Sequence, residues 1–302
     1  MVRCPGSEPP RPCSADGRSA RAWLSLKGPG LSVRNLLLAL PLATLTAACG
    51  GEPLAPETPS VADEATGQAA QQVTLDGTYT WRVNEISFTS SAIGSATNRT
   101  CFLSALGGSL QENPSNDGVR SFAGVNIFED QWLIVVRQNA DAALSTTARC
   151  VNTAANRTAE VSWSNGEAAK VLGAMTADRR CFLTRVEASG AFNSTSEYVR
   201  VWNDGLNWYL GGDLADAGGA RAICVDIPES VGNGWQLISG SGGQSTDLAY
   251  NPGGVACFLS GIGGRFNQDS YSDGVSVDYN SGTRTWEMAL SPFKRGWAHC
   301  VK

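Results

Sequence analysis

Along most of the chain, short runs of Val, Ile, Trp, Tyr, Phe and Thr alternate with clusters of Gly, Asn, Asp and Ser. Runs of that length and composition read as β-strands separated by turns. Tyr198-Val199-Arg200-Val201-Trp202 and Val275-Ser276-Val277-Asp278-Tyr279 show a period of two. That period sends successive side chains to opposite faces of a sheet. Glu167 to Ala177 is the one helix-like stretch, and it is short. The pattern predicts an all-β chain with about five strands per repeating unit and about 15 strands in total.

The units come from internal repetition, which is sought first because missing it misreads a whole fold. The string CFLS begins at Cys101 and Cys257, and CFLT begins at Cys181. After each string a Gly/small stretch leads to Leu110, Phe192 or Phe266. A polar turn, a Trp strand and a second cysteine (Cys150, Cys224 or Cys300) followed by Val complete the unit. The Trp strands open at Trp132, Trp208 and Trp286, and an earlier Trp stands near each unit's start at Trp81, Trp163 and Trp235. Both sets recur in register, so packing against a disulfide is their expected role.

The expected organisation is three tandem β repeats of about 76 residues, over 76–154, 155–228 and 229–302. Almost no spacer separates them, so pseudo-threefold packing is expected, with three beads in a row as the alternative.

Gly contributes 34 positions and charged residues only 17%. That composition suits neither a disordered chain nor a helical bundle. The formal net charge is −5, which argues against nucleic acid held by a basic surface.

Residues 36–48, LLLALPLATLTAA, form an uncharged apolar run of 13 behind Arg34. In a helix it would reach about 20 Å, short of the roughly 30 Å hydrocarbon core of a bilayer, so it reads as a signal-peptide apolar region. Leu45-Thr46-Ala47-Ala48-Cys49-Gly50 at its end resembles the lipobox of bacterial lipoprotein precursors. Thr46 stands where that family usually has Leu. The resemblance implies cleavage before Cys49, a diacylglycerol on its thiol and an acylated amine. Gly50 is not the Asp that retains lipoproteins of that family in the inner membrane, which implies outer-membrane or cell-surface placement. The resemblance covers residues 34–50 only.

The Pro- and Arg-rich residues 1–32 do not resemble a signal n-region, and a true start near Val33 is expected. Residues 49–75 then carry the lipid and a Pro/Ala/Glu/Gln-rich tether. Without residues 1–48 the chain keeps 17 basic and 26 acidic residues, a net of −9. Membrane attachment is therefore expected through the lipid on Cys49, not through anionic headgroups.

Six cysteines remain once Cys49 is lipidated. Repeat symmetry leaves two pairings. The first closes each unit on itself, as Cys101–Cys150, Cys181–Cys224 and Cys257–Cys300. The second links neighbours, as Cys150–Cys181, Cys224–Cys257 and Cys101–Cys300. The first is the expectation, because each unit then stabilises itself, by about 4 kcal/mol per bridge in the chain-entropy model. Disulfides fit an exported protein. No CxxC spacing or histidine pair suggests zinc, and neither a metal nor a cofactor is expected.

The chain has one histidine, His299, and no nucleophile elbow near it, so it reads as a structural or surface residue. Glu160, Glu187, Glu197, Asp204, Asp213 and Asp226 are the carboxylates that a histidine-free hydrolase could use, and solvated surface is the expected role of each. Asp269-x-Tyr271-x-Asp273-Gly274 fails the calcium-loop pattern at its third position and at Asn280, and Asp-Gly already signals a hairpin turn.

Tyr198, Arg200 and Trp202 share one strand face opposite Val199 and Val201. Trp202 has no counterpart in the other units. Facing outward, the stripe could stack on a sugar ring or grip a peptide; the alternative is burial against a neighbouring unit. Three functions follow: a lipid-anchored module binding a carbohydrate or protein, a structural envelope lipoprotein, and a secreted carboxylate hydrolase. The first is the expectation, and no enzymatic activity is expected.

Overall fold

The computed structural model describes residues 74–110, 119–251 and 253–302. The signal segment, Cys49, the tether up to 73 and residues 111–118 lie outside them. The described chain is all-β, without a helix.

The strands are β1 (Leu75–Val83), β2 (Ser87–Ser95), β3 (Thr100–Gly108), β4 (Ser121–Phe128), β5 (Gln131–Gln138) and β6 (Leu144–Val151). Next come β7 (Val161–Ser164), β8 (Lys170–Ala174), β9 (Arg179–Ser189), β10 (Tyr198–Asn203), β11 (Asn207–Asp213) and β12 (Ala217–Asp226). The last six are β13 (Ser230–Ile238), β14 (Gln244–Tyr250), β15 (Ala256–Gly264), β16 (Gly274–Asn280), β17 (Thr285–Leu290) and β18 (Lys294–Val301).

The described residues thus form 18 strands where the sequence pattern predicts about 15. The helix-like stretch holds β8 instead, and β2 and β14 are Ser-, Thr- or Gln-containing strands with few apolar positions. All three lie at sheet edges.

Three six-stranded antiparallel sheets form. Sheet I has the order β1-β6-β3-β16-β17-β14, sheet II β2-β5-β4-β9-β12-β7, and sheet III β13-β18-β15-β10-β11-β8. Each sheet joins three strands from one of the sets β1–β6, β7–β12 and β13–β18 with three from another. The joins are β3–β16, β4–β9 and β10–β15. Shared sheets rule out three separate beads.

The strands β3, β9 and β15 carry the CFLS and CFLT strings and are buried along almost their whole length. Their near-continuous apolar runs suit strands covered on both faces. Phe102, Phe182 and Phe258 meet as one cluster with ring centroids 4.8, 5.1 and 5.2 Å apart, each fully buried. Elsewhere in the core the Leu110 N–H donates to Phe266 O, and the Phe266 N–H to Phe192 O.

The disulfides are Cys101–Cys150, Cys181–Cys224 and Cys257–Cys300, each bridging directly opposed residues of neighbouring strands. Gly108 and Gly264 both close their strands at positive φ, and a Cβ there would lie 2.1 Å from the Ala143 and Phe293 carbonyls. That geometry accounts for the paired glycines after the CFLS strings.

Candidate functional site

Sheet III gathers the aromatic stripe. On β10, Val199 and Val201 are buried while Tyr198, Arg200 and Trp202 are half-buried on the opposite face. The Arg200 guanidinium lies 5.5 Å from the Tyr198 ring centroid and 5.0 Å from that of Trp202. At one end of the stripe Trp297 of β18 packs on Tyr198 at 5.7 Å. At the other end Tyr209 of β11 stacks on Trp202 at 5.7 Å and 22°. The Tyr209 hydroxyl donates to Asp204 Oδ2 at 2.9 Å, which fixes the ring that supports Trp202. Asp204 also caps the β10–β11 turn, and the Asn207 and Leu206 N–H groups together with that hydroxyl hold its carboxyl below the usual range.

The stripe borders a groove of about 340 Å³. Arg200, Trp202 and Asn203 line one side, Trp235 and Gln236 of β13 another, and Ser260, Trp297 and His299 the rest. Among the described residues no carboxylate pairs with Arg200, and its Nε and the Trp297 indole N–H lack partners. Gly261 of β15 lies opposite Arg200 in the sheet, where a Cβ would stand 2.7 Å from the Arg200 Cβ and 2.8 Å from the Trp297 ring. The missing side chain lets those two groups close on each other. The arrangement offers flat apolar faces beside polar donors and acceptors, which is the make-up of a small-molecule recognition surface.

A second cavity of about 530 Å³ adjoins it, with Asn203 and His299 lining both. Its other walls include Arg180, Trp208, Ser230 and Met175. Read from sequence as a structural or surface residue, His299 is half-buried and edge-on to Trp208, with centroids 6.0 Å apart. Burial first, and the Arg180 charge second, push its imidazole below the ordinary value of 6.5. Trp235, expected in the core, is half-buried and lines the groove.

Glu160 and Glu187 both act on Arg185, and the six carboxylates do not gather in either cavity of sheet III. Glu160 accepts from Thr184 and Arg221, and Glu187 pairs with Arg120 and Arg185. Glu197, 3% exposed, accepts the N–H groups of Asn193, Ser194 and Ala215. Asp226 pairs with Arg179, and Asp213 is exposed at the end of β11. None of the six lines either cavity of sheet III. Asp269 accepts the Ala143 N–H, and Asp273 pairs with buried Lys294 at 2.8 Å.

The sequence reading missed Trp235, Gln236, Ser260 and Trp297 as groove residues. Counting back from the second cysteine supplies a signal: Trp297 stands where Thr147 and Arg221 stand, and His299 where Arg149 and Ile223 stand. No family model, curated protein or solved structure matches the chain.

Proposed function

We propose that the protein is a lipid-anchored module of the bacterial cell envelope that binds a carbohydrate in the sheet III groove. The observation that carries this reading is Arg200 held between Tyr198 and Trp202, with Trp235 and Trp297 along the same groove. Sugar C–H faces stack on indole and phenol rings, and hydroxyls pair with Arg200, Asn203, Gln236 and Ser260. A protein ligand is the competing occupant. The absence of the six carboxylates from both cavities of sheet III favours binding over hydrolysis there.

The scaffold in this reading is three copies of one six-strand unit about a pseudo-threefold axis through Phe102, Phe182 and Phe258. The sheet orders support it. Each sheet combines the first, sixth and third strands of one unit with the fourth, fifth and second strands of another. Three matching disulfides support it as well. The lipobox-like Leu45–Gly50 supports a diacylglycerol on Cys49 and a surface position, with the intervening chain as tether. Disulfides fit export.

A glycan array probed with the full chain tests the function. Retention of glycans by the native chain, weakened at least about tenfold by Trp202→Ala or Trp297→Ala, is the expected result. Retention of a protein but no glycan selects the competing ligand. Retention of neither leaves a structural envelope lipoprotein. Mass spectrometry of the mature amino terminus tests the anchor, which requires an acylated Cys49.

A further inference from the structure

The second cavity of sheet III has donors on its walls and no acid. Arg180 is its charged residue, and no carboxylate among the described residues lines it. The Arg180 side chain is buried, yet among the described residues its hydrogen bonds run only to the backbone carbonyls of Arg179, at 2.7 Å, and Ala177, at 2.6 Å. Its Nε has no partner. Asp178 and Asp226 act on it only through space, and Asp226 is itself paired with Arg179. A buried guanidinium without a bound carboxylate is costly, and its planar donor edge matches a carboxylate's two oxygens.

Trp208 sharpens the point. It is 2% exposed, and among the described residues its indole N–H has no acceptor. The tryptophans that open the other two Trp strands do have acceptors. Trp132 donates to Arg99 O and Trp286 to Val255 O, both at 2.9 Å. Those carbonyls belong to the residue two before Cys101 and Cys257. The carbonyl two before Cys181 is Arg179 O, and Arg180 occupies it. The third wall differs too. The residue before the second cysteine is Arg149 in sheet I, where Asp278 meets its charge at 2.8 Å, and it is His299 here.

We propose that this cavity binds the carboxylate of an acidic sugar, with Arg180 as its counter-ion, so that the ligand of the adjoining groove is a uronic-acid-containing glycan. The inference rests on the carbohydrate reading of that groove, with which the cavity shares Asn203 and His299. The cavity volume of about 530 Å³ accommodates one monosaccharide. On binding, Arg180 turns from the Arg179 carbonyl to the carboxylate. That carbonyl then becomes the acceptor for Trp208 Nε1, the pairing that Trp132 and Trp286 already make. No bond is made or broken. The exchange moves hydrogen bonds only.

The test titrates the full chain in detergent with glucuronate, with its neutral methyl ester and with glucose. Glucuronate is expected to bind roughly tenfold more tightly than either neutral sugar, as a charge-assisted pair implies. Arg180→Gln should erase that preference while leaving neutral-sugar affinity in place, and Arg180→Lys should restore part of it. In the native chain the Trp208 indole N–H resonance should move with glucuronate and stay still with the ester. That measurement stands even if Arg180→Gln fails to fold. Equal affinity for acid and ester, or a Trp208 resonance unmoved by bound glucuronate, overturns the carboxylate site. If both sugars still weaken with Trp202→Ala, the groove reading survives that result. If no sugar binds, the groove reading itself fails and takes this inference with it.

Discussion

Replacing Phe102 by Ala tests whether the three parts of the chain share one core. The ring is fully buried, with the Phe182 centroid at 4.8 Å and the Phe258 centroid at 5.1 Å. Truncating a buried Phe to Ala costs about 3–5 kcal/mol in lost transfer energy and cavity. For a domain of this size that lowers Tm by about 6–20 °C. Part of the loss belongs to the ring pairs, at about 0.5–1.5 kcal/mol each beyond buried area. Phe102→Ala removes two of the three pairs in the cluster. Phe258→Ala made in that background then removes only the one that remains. The double variant should therefore fall short of additivity by about 0.5–1.5 kcal/mol. Urea melts of the native chain, both single variants and the double variant, with disulfides intact, supply the cycle. Each curve should show one transition. Additivity within about 0.3 kcal/mol, or separate transitions for different parts of the chain, refutes the shared core.

Other perturbations have equally definite outcomes. Asp273→Asn leaves the Lys294 ammonium buried, 5.0 Å from the Phe266 ring and without its carboxylate partner, and should cost about 3–5 kcal/mol in chemical denaturation. His299 is held neutral by burial, with Arg180 adding to the effect, so the unfolded chain binds more protons just below pH 6.5. Stability should be full above that value and fall as pH drops from 6.5 toward the lower native value, whereas His299→Gln should lose this part of the slope in a Tm series. Gly261→Ala places a methyl group against Arg200 and Trp297, and should weaken glycan retention more than it lowers Tm; an unchanged affinity would remove the groove from the account.

Much of the scaffold was legible because the residues that build it repeat. The CFLS and CFLT strings mark the three double-buried strands, and the second cysteines mark their disulfide partners. The edge strands β2 and β14 were not legible because Ser, Thr, Gln and Asp leave them few apolar residues, and β8 because its five residues lie within a helix-like stretch. Half of the groove was hidden for a different reason. β10 and β15 come from distant parts of the chain, and only their pairing brings Trp202 near Trp235, Trp297 and Ser260. Periodicity on β10 correctly placed Tyr198, Arg200 and Trp202 on one face, but local pattern carries no record of what lies across the sheet. No local pattern in the sequence marks where His299 sits, because its position beside Trp208 and between two cavities depends on tertiary packing.

Isothermal titration of the full chain with the glycan that the array retains most strongly puts the account's main proposition to its hardest trial. Saturable binding to one site per chain, lost in Trp297→Ala at unchanged Tm, is the predicted result. Full-strength binding by that folded variant would contradict it.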